Sequence, residues 1–223
     1  MGTNKRSEVF DYRALRLLVG LIAFLLPFIV SILSTNSLSS ISASYYSNAR
    51  DAFVGMMFIV GSFLWAYNGH TINEAIASKG ASLASILVAL FPTACDLCKT
   101  DLAARIHYTA AAILFAILAY FCLVPFRKNT KGKGGKKSLR SGIYLMCGII
   151  MIACMVVIFI ANSVMAKDIV TQLRLTYWGE TISLAAFGFA WIIAGKYIPF
   201  FVDKEDRLHL FSSRHSEQSE EPQ

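Results

Sequence analysis

Residues 143–164 read IYLMCGIIMIACMVVIFIANSV, a run of 22 amino acids without a charged side chain. A helix of about 20 apolar residues spans the hydrocarbon core of a bilayer. Inside lipid the backbone must satisfy its own N–H and C=O groups, which a helix does within one segment. The run therefore predicts a transmembrane helix over Ile143–Val164.

Five further apolar stretches surround this one. The whole chain is 56% hydrophobic and 16% charged, a balance too apolar for a soluble globular domain of 223 residues. The stretches are Leu15–Leu33, Ala52–Tyr67, Ala81–Ala94, His107–Phe126 and Tyr177–Phe201. Together they predict an all-α, polytopic membrane bundle of six transmembrane helices. The third stretch is short and carries Pro92 near its end, so a tilted or partly re-entrant segment is the alternative there.

The basic residues are distributed unevenly between the two sides that six spans would create. Sixteen of the 21 Lys and Arg residues fall on the side of the termini, in the N-terminal segment, in a short turn at Lys79, in the loop 127–140 and towards the C-terminus. The other side holds five, which are Arg50, Lys99, Arg105, Lys167 and Arg174. Because Lys and Arg concentrate in cytoplasmic segments, both termini and the loop are predicted to be cytoplasmic.

This topology predicts one membrane domain with short cytoplasmic flanks. Residues 1–14 form a cytoplasmic N-terminal segment, and residues 15–201 form the six-helix domain with its basic, flexible loop 127–140. Residues 202–223 form a cytoplasmic tail whose polar composition predicts partial disorder. The net charge of +7 favours contact between the basic loop and anionic membrane lipids rather than binding of nucleic acid.

Ionisable side chains occur at the exoplasmic ends of three predicted spans. Asp51, His107 and Glu180 each fall within the first turn or so of a span, at similar depth. Such groups are costly to hold in a membrane unless they face water, a partner or the bundle interior, so they form the candidate catalytic set. The candidate ligand-binding residues beside them are Tyr45, Arg50 and Trp178.

The same residues have a simpler interpretation as anchors at the membrane interface. Aromatic and charged side chains are common at the ends of spans, and a carboxylate in the first turn of a helix favourably opposes the macrodipole. A histidine with two carboxylates can bind a divalent metal or perform acid–base chemistry, but one histidine among oxygen ligands does not identify a metal. The metal, the cofactor and the oligomeric state stay open.

Cys95 and Cys98 form a CxxC motif on the predicted exoplasmic side. In an oxidising periplasm or lumen this spacing favours a local disulfide, whereas in a reducing compartment it can bind a metal or exchange thiols. We predict the disulfide, which would hold the loop next to the candidate catalytic set.

Five short motifs carry a resemblance to known proteins: SASYY at Ser42–Tyr46, RDAFVG at Arg50–Gly55, LFPT at Leu90–Thr93, HYTAA at His107–Ala111 and WGE at Trp178–Glu180. The chain resembles a group of bacterial six-span proteins of unknown function, which are similar to the Frag/DRAM/Sfk superfamily. The resemblance covers most of residues 15–201. It implies a multi-pass protein of the bacterial inner (plasma) membrane with an exoplasmic polar site and, in some eukaryotic relatives, a part in lipid-anchor remodelling or lipid organisation.

Three functions are compatible with the candidate residues. The first is binding of a lipid headgroup or small polar ligand in an exoplasmic pocket, with arginine meeting phosphate. The second is a membrane-embedded, metal-dependent hydrolase or lipid-modifying enzyme with His107 as general base or metal ligand. The third is a small-solute or ion transporter that uses the carboxylates. The sequence has no Walker A loop and no GxSxG elbow, which disfavours ATP-driven transport and a serine hydrolase.

Overall fold

The computed structural model describes residues 12–94, 101–128, 130–132 and 134–203, which are mainly helical and contain no β-strand. The helices are α1 (Tyr12–Leu33), α2 (Arg50–Ala66), α3 (Ile72–Leu90), α4 (Asp101–Leu123), α5 (Pro125–Lys128), α6 (Lys136–Val164), α7 (Lys167–Gln172) and α8 (Leu175–Ala194). Two short 3₁₀ helices cover Ser42–Tyr46 and Pro199–Phe201. The all-α prediction is confirmed for this part of the chain.

The six long helices form a closed ring in chain order. Each packs against the next, and α8 packs against α1. The start of α1 lies at the end of α8, because Arg13 Nε donates to the Gly195 carbonyl at 3.1 Å. The start of α8 lies near the end of α1, because the Tyr177 N–H donates to the Ser39 carbonyl at 3.1 Å. We call the end that holds the start of α1 the cavity end, after the cavity described below, and the other the opposite end.

Three helical segments among the described residues are long and apolar enough to cross a membrane: Arg13–Leu33, Leu102–Lys128 and Lys136–Val164. In the segment Lys136–Val164, only 22% of the most apolar stretch of residues is buried inside the protein. Its exposed side chains recur every three or four residues and therefore share one helix face; they include Met146, Ile149, Ile152, Val156 and Phe159. A water-soluble chain rarely leaves such a face uncovered, so these helices indicate association with a membrane.

Helix α3 differs most from its predicted stretch. We predicted Ala81–Ala94, but the helix covers Ile72–Leu90, so Lys79 lies inside it rather than in a turn. Three buried serine hydroxyls donate to carbonyls of α2: Ser78 to Leu64 at 2.5 Å, Ser82 to Gly61 at 2.6 Å and Ser85 to Met57 at 2.8 Å. A hydropathy scale counts serine as polar, whereas packing between two helices satisfies its hydroxyl.

Other helix boundaries also differ from those predicted. Helix α4 begins at Asp101, more than one turn before His107. The loop 127–140, which we predicted to be flexible, is helical at both ends, because α5 ends at Lys128 and α6 begins at Lys136. Helix α8 ends at Ala194 rather than continuing through the stretch predicted to Phe201.

The core near the cavity end is aromatic. Trp191 is fully buried, and four ring centroids lie around its own: Tyr67 at 5.4 Å, Phe121 at 5.7 Å, Phe126 at 5.6 Å and Phe187 at 5.1 Å. Aromatic pairs at such distances pack favourably and rigidly. The cluster joins α4, α5 and α8 to the residue that follows α2, and it supports the wall of the cavity.

The backbones of α1 and α8 are in direct contact where the two helices cross at Gly20 and Gly188. A Cβ atom added to Gly188 would lie 2.6 Å from the carbonyl oxygen of Gly20, and one added to Gly20 would lie 2.8 Å from the carbonyl oxygen of Gly188. Small residues at a crossing let two helix backbones approach closely. The pair therefore sets the distance between the first and last helices of the ring.

Candidate functional site

Glu180 lies in the second turn of α8 and holds the chain segment that follows α1. Its Oε2 accepts a hydrogen bond from the backbone N–H of Ile41 at 2.5 Å. Arg174 Nε and the backbone N–H of Tyr177 donate to two carbonyls of the same segment, at 2.8 and 3.1 Å. These three residues are spaced by three, so they lie on one side of the start of α8. Glu180 therefore has a structural role in fastening this segment.

Replacing Glu180 with alanine should destabilise the folded chain. Ile41 is only 3% exposed, and a buried N–H without an acceptor costs about 1–3 kcal/mol. Thermal unfolding of the purified protein in detergent should therefore begin several degrees lower. As a control, Asp168→Ala changes an exposed carboxylate in the first turn of α7 and should alter stability by less than about 0.5 kcal/mol. An unchanged unfolding midpoint for Glu180→Ala would contradict this structural role.

His107 is buried and holds the end of α3. Only 2% of it is exposed, and its Nδ1 lies 2.7 Å from the carbonyl oxygen of Phe91, the residue that follows α3. The neighbouring Tyr108 hydroxyl accepts a hydrogen bond from Thr93 Oγ1 at 2.8 Å. Carbonyls at the end of a helix lack partners within the helix, so His107 and Tyr108 secure the chain where it leaves α3.

The remaining predicted site residues lie at the surface. Asp51 is exposed in the first turn of α2, where a carboxylate interacts favourably with the helix dipole. The Arg50 guanidinium lies 4.4 Å from the ring centroid of Tyr45 and donates to the Tyr45 hydroxyl at 2.9 Å. Trp178 is 52% exposed. These positions fit anchors at a membrane interface, and the contact that the structure shows among these four residues joins Arg50 to Tyr45.

Among the described residues, the hydrogen bonds of the candidate catalytic set go to backbone groups and not to one another. Glu180 and His107 bind backbone groups of different segments, and no hydrogen bond links either to Asp51 in the described ranges. Within those ranges no group of three or more His, Cys, Asp or Glu side chains could hold a metal ion. The catalytic role of this set stays a prediction. Cys95 and Cys98 lie outside the described residues, and so does their predicted disulfide.

A cavity of about 370 Å³ lies at the cavity end. Its apolar and aromatic lining comes from Pro125, Phe126, Tyr144 and Ala194. Its charged lining comes from Arg16, Glu74, Lys137, Arg140 and Lys196, and His70 and Thr130 complete it. The volume is at the lower end of the range for small-molecule sites. Four separate parts of the chain therefore meet around one mainly basic cavity.

The turn between α2 and α3 leads into Glu74, which lies in the first turn of α3 and is the one carboxylate of the described lining. Gly69 has a φ of 63°, and a Cβ there would lie 2.5 Å from the Glu74 side chain, so the turn requires glycine. Thr71 Oγ1 accepts from the Glu74 N–H at 3.3 Å, while Glu74 Oε2 accepts from the His70 N–H at 3.0 Å. The arrangement is similar to a capping box, but the carboxylate accepts from His70, the residue before the N-cap Thr71. It engages the carboxylate of Glu74 close to its own backbone.

Arg16 is held in a fixed orientation in the cavity wall. Its Nε and Nη2 donate to the Tyr67 hydroxyl at 3.2 and 2.6 Å, and its Nη1 donates to the Ala194 carbonyl at 3.4 Å. Tyr67, the acceptor that orients Arg16, is fully buried and packs against Phe121 and Trp191. The position at the C-terminal end of α8 is favourable for a cation.

Lys137, Arg140 and Tyr144 place three cavity residues on one face of α6. They follow the i, i+3, i+7 spacing that brings side chains to the same side of a helix. Arg140 is only 2% exposed, so its basic side chain is held inside the protein. Sequence reasoning interpreted the charges of 127–140 as determinants of topology and as a lipid-binding loop. The helical spacing was the signal that could have shown a buried basic face.

No protein-family model, curated protein or solved structure matches this chain. The resemblance to the Frag/DRAM/Sfk superfamily therefore stays a prediction. Function has to be inferred from the residues of the cavity and from their chemistry.

Proposed function

We propose that this chain is a multi-pass membrane protein that binds an anionic ligand, a lipid headgroup or a small polar molecule, in the cavity at its cytoplasmic end. The observation that carries the proposal is the charge of the described lining. Four of its side chains, those of Arg16, Lys137, Arg140 and Lys196, are basic, and one, that of Glu74, is acidic. A cavity lined mainly by charges of one sign, with low-dielectric walls, concentrates ions of the opposite sign. The ligand class is the one expected from the sequence, and the proposed site is at the other end of the bundle from the predicted exoplasmic pocket.

The proposal includes six membrane spans with both termini in the cytoplasm. The ring of six long helices in chain order supports it, as does the concentration of Lys and Arg on the side of the termini. Helices α2, α3 and α8 are shorter or more polar than the three candidate spans. Their polar side chains include the α3 serines that bind α2 carbonyls, which lowers the cost of placing them in lipid.

Cysteine labelling tests this topology. Lys131→Cys and Asn48→Cys would each be introduced into a chain whose five native cysteines have been replaced. Both positions are exposed, at the cavity end and at the opposite end respectively. A membrane-impermeant maleimide applied to intact cells should label only Asn48→Cys, and both positions should react after lysis. Labelling of Lys131→Cys in intact cells would reverse the orientation.

Lipid binding in detergent solution tests the ligand class. Dioleoyl phosphatidylglycerol or dioleoyl phosphatidic acid would be added to the purified full chain, with dioleoyl phosphatidylcholine in parallel, and bound lipid would be counted by native mass spectrometry. The anionic lipids should bind and the zwitterionic lipid should not. Lys137→Gln should weaken anionic binding by about fivefold, because one partly buried charge–charge contact is worth about 1 kcal/mol.

The control variant for this measurement is Lys131→Gln. Lys131 is exposed in the same loop and does not line the cavity. Its loss should change the affinity by less than about twofold, because exposed charges are screened. Equal losses in both variants would show that the loop surface binds lipid, and the proposed cavity site would then be wrong.

The hydrolase and transporter alternatives have no supporting observation in the described part of the chain. His107 is buried, and its Nδ1 lies within hydrogen-bond distance of a backbone carbonyl. Glu180 binds a backbone N–H. Both functions stay predictions, and the binding function is the one that the cavity supports.

A further inference from the structure

We infer that the segment 196–203, which follows α8, is a membrane anchor that places the ring of Phe200 among the lipids of the membrane interface at the cavity end. The sequence predicts the apolar residues of this segment as the end of the sixth span, but α8 ends at Ala194. They belong instead to a turn and a short 3₁₀ helix. The inference adds a membrane contact to the proposed function and does not depend on a ligand in the cavity.

The chain turns sharply where α8 ends. Lys196 has a φ of 60°, the left-handed conformation that commonly closes a helix. Arg13, at the start of α1, holds this turn because it donates to the carbonyls of Gly195 at 3.1 Å and of Lys196 at 3.3 Å. Pro199 follows, and proline has no N–H with which to continue an α-helix. The chain therefore leaves the direction of α8 at the end of the bundle.

The far end of the segment is fixed to the start of α6. Asp203 Oδ1 accepts a hydrogen bond from the backbone N–H of Lys136, the first residue of α6, at 3.2 Å. The N–H groups of a first turn lack partners within their own helix. Lys136 Nζ donates to the Pro199 carbonyl at 3.4 Å, and Val202 is only 1% exposed. The segment therefore crosses from α8 to α6 and is held at both ends.

The aromatic side chains of this segment continue the outer surface of α8. The ring centroid of Phe201 lies 6.4 Å from that of Phe189 in α8 and 5.1 Å from that of Phe200. Phe189 is 40% exposed, and Phe200 is 68% exposed. A connected row of exposed apolar side chains indicates contact with lipid or with another protein. Because the row begins on the outer side of the helix ring, where the proposed spans face the bilayer, lipid is the occupant that fits it.

Two cations indicate the depth of this row in the membrane. Lys136 Nζ lies 5.7 Å from the ring centroid of Phe200, and Arg13 Cζ lies 5.1 Å from that of Tyr197. Tyrosine is enriched at the membrane–water interface, and Lys and Arg extend their charges to the headgroups there. Such charges are costly in the hydrocarbon core but favourable beside anionic headgroups. The Phe200 ring should therefore lie at the level where headgroups meet acyl chains.

Spin labelling tests this position. Phe200→Cys would be introduced into the full chain with its five native cysteines replaced, labelled with a nitroxide, and reconstituted in vesicles of dioleoyl phosphatidylcholine and dioleoyl phosphatidylglycerol. Electron paramagnetic resonance would compare collisions with oxygen, which concentrates in the bilayer, and with nickel ethylenediaminediacetate, which stays in water. The controls are Ile152→Cys, on the exposed face of α6, and Lys131→Cys, in the exposed loop. The oxygen-to-nickel ratio at Phe200 should exceed that at Lys131 severalfold and stay below that at Ile152.

The other outcomes overturn different statements. A ratio at Phe200 equal to that at Lys131 would place the ring in water, and a ratio equal to that at Ile152 would place it in the hydrocarbon core; either would contradict the interfacial anchor. A label shielded from both reagents would show that another protein chain covers Phe200. Equal ratios at all three positions would contradict the membrane spans of the proposed function itself. If Phe200→Cys does not fold, Tyr197→Cys, at a residue that is 39% exposed, carries the same expectation.

Discussion

Replacing Gly188 with valine is expected to leave little folded protein. A Cβ at this position would lie 2.6 Å from the Gly20 carbonyl oxygen and 2.8 Å from the backbone nitrogen of Phe24. Both are backbone atoms of α1, which cannot move aside as the tip of a flexible side chain can. Overpacking of this kind costs about 3 kcal/mol, a large part of the stability of a small domain. The helices α1 and α8 would separate, and the ring would open where its first and last members meet.

The yield of monodisperse protein and its thermal unfolding midpoint, both measured in one detergent, would test this expectation. Gly55→Val provides the matched control, because no atom lies within 4 Å of a Cβ at Gly55. Gly55 is also in the interior of a helix, where valine is no worse than glycine. The control should express and unfold like the unaltered protein. Equal behaviour of the two variants would contradict the close contact between α1 and α8.

Replacing Arg140 with glutamine is expected to reduce the affinity for anionic lipid by roughly 30- to 150-fold. Arg140 is almost completely buried, at 2% exposure, so solvent screens its charge weakly. A hydrogen bond to a charged partner in such surroundings contributes about 2–3 kcal/mol. The loss should exceed that for Lys137→Gln, whose side chain is only partly buried.

Native mass spectrometry of bound phosphatidic acid would measure the change, with Arg50→Gln as the control. Arg50 is exposed at the opposite end, and its replacement should leave lipid affinity within about twofold. Arg140→Lys keeps the charge and should show an intermediate loss, because lysine cannot form the planar fork. Unfolding midpoints would show whether each variant is folded. A folded Arg140→Gln protein with unchanged affinity would contradict the cavity as the binding site.

The predicted exoplasmic site rests on the order of the spans along the chain. That order indicates which residues share a depth in the membrane, and Asp51, His107 and Glu180 do occur near the starts of three helices. It does not indicate the rotation of each helix about its axis. Glu180 and His107 turn towards separate backbone segments, while Asp51 is exposed. Polar residues at the start of a helix can form hydrogen bonds to unpaired backbone groups of neighbouring segments as well as to a ligand.

The sequence by itself determined the helical class of the described chain and its apolar character. Both follow from local composition, because a segment of about 20 apolar residues in lipid has to be helical. Local composition placed the start of α3 wrongly, because the serines of α3 are polar but donate hydrogen bonds to carbonyls of α2. Only the tertiary structure decided that Arg16, Arg140 and Lys196 surround one cavity. These residues are far apart in the chain, and charge counting assigns them to a side of the membrane without giving their distance from one another. The cavity arises from the closure of the helix ring, which depends on close contacts such as Gly20 with Gly188.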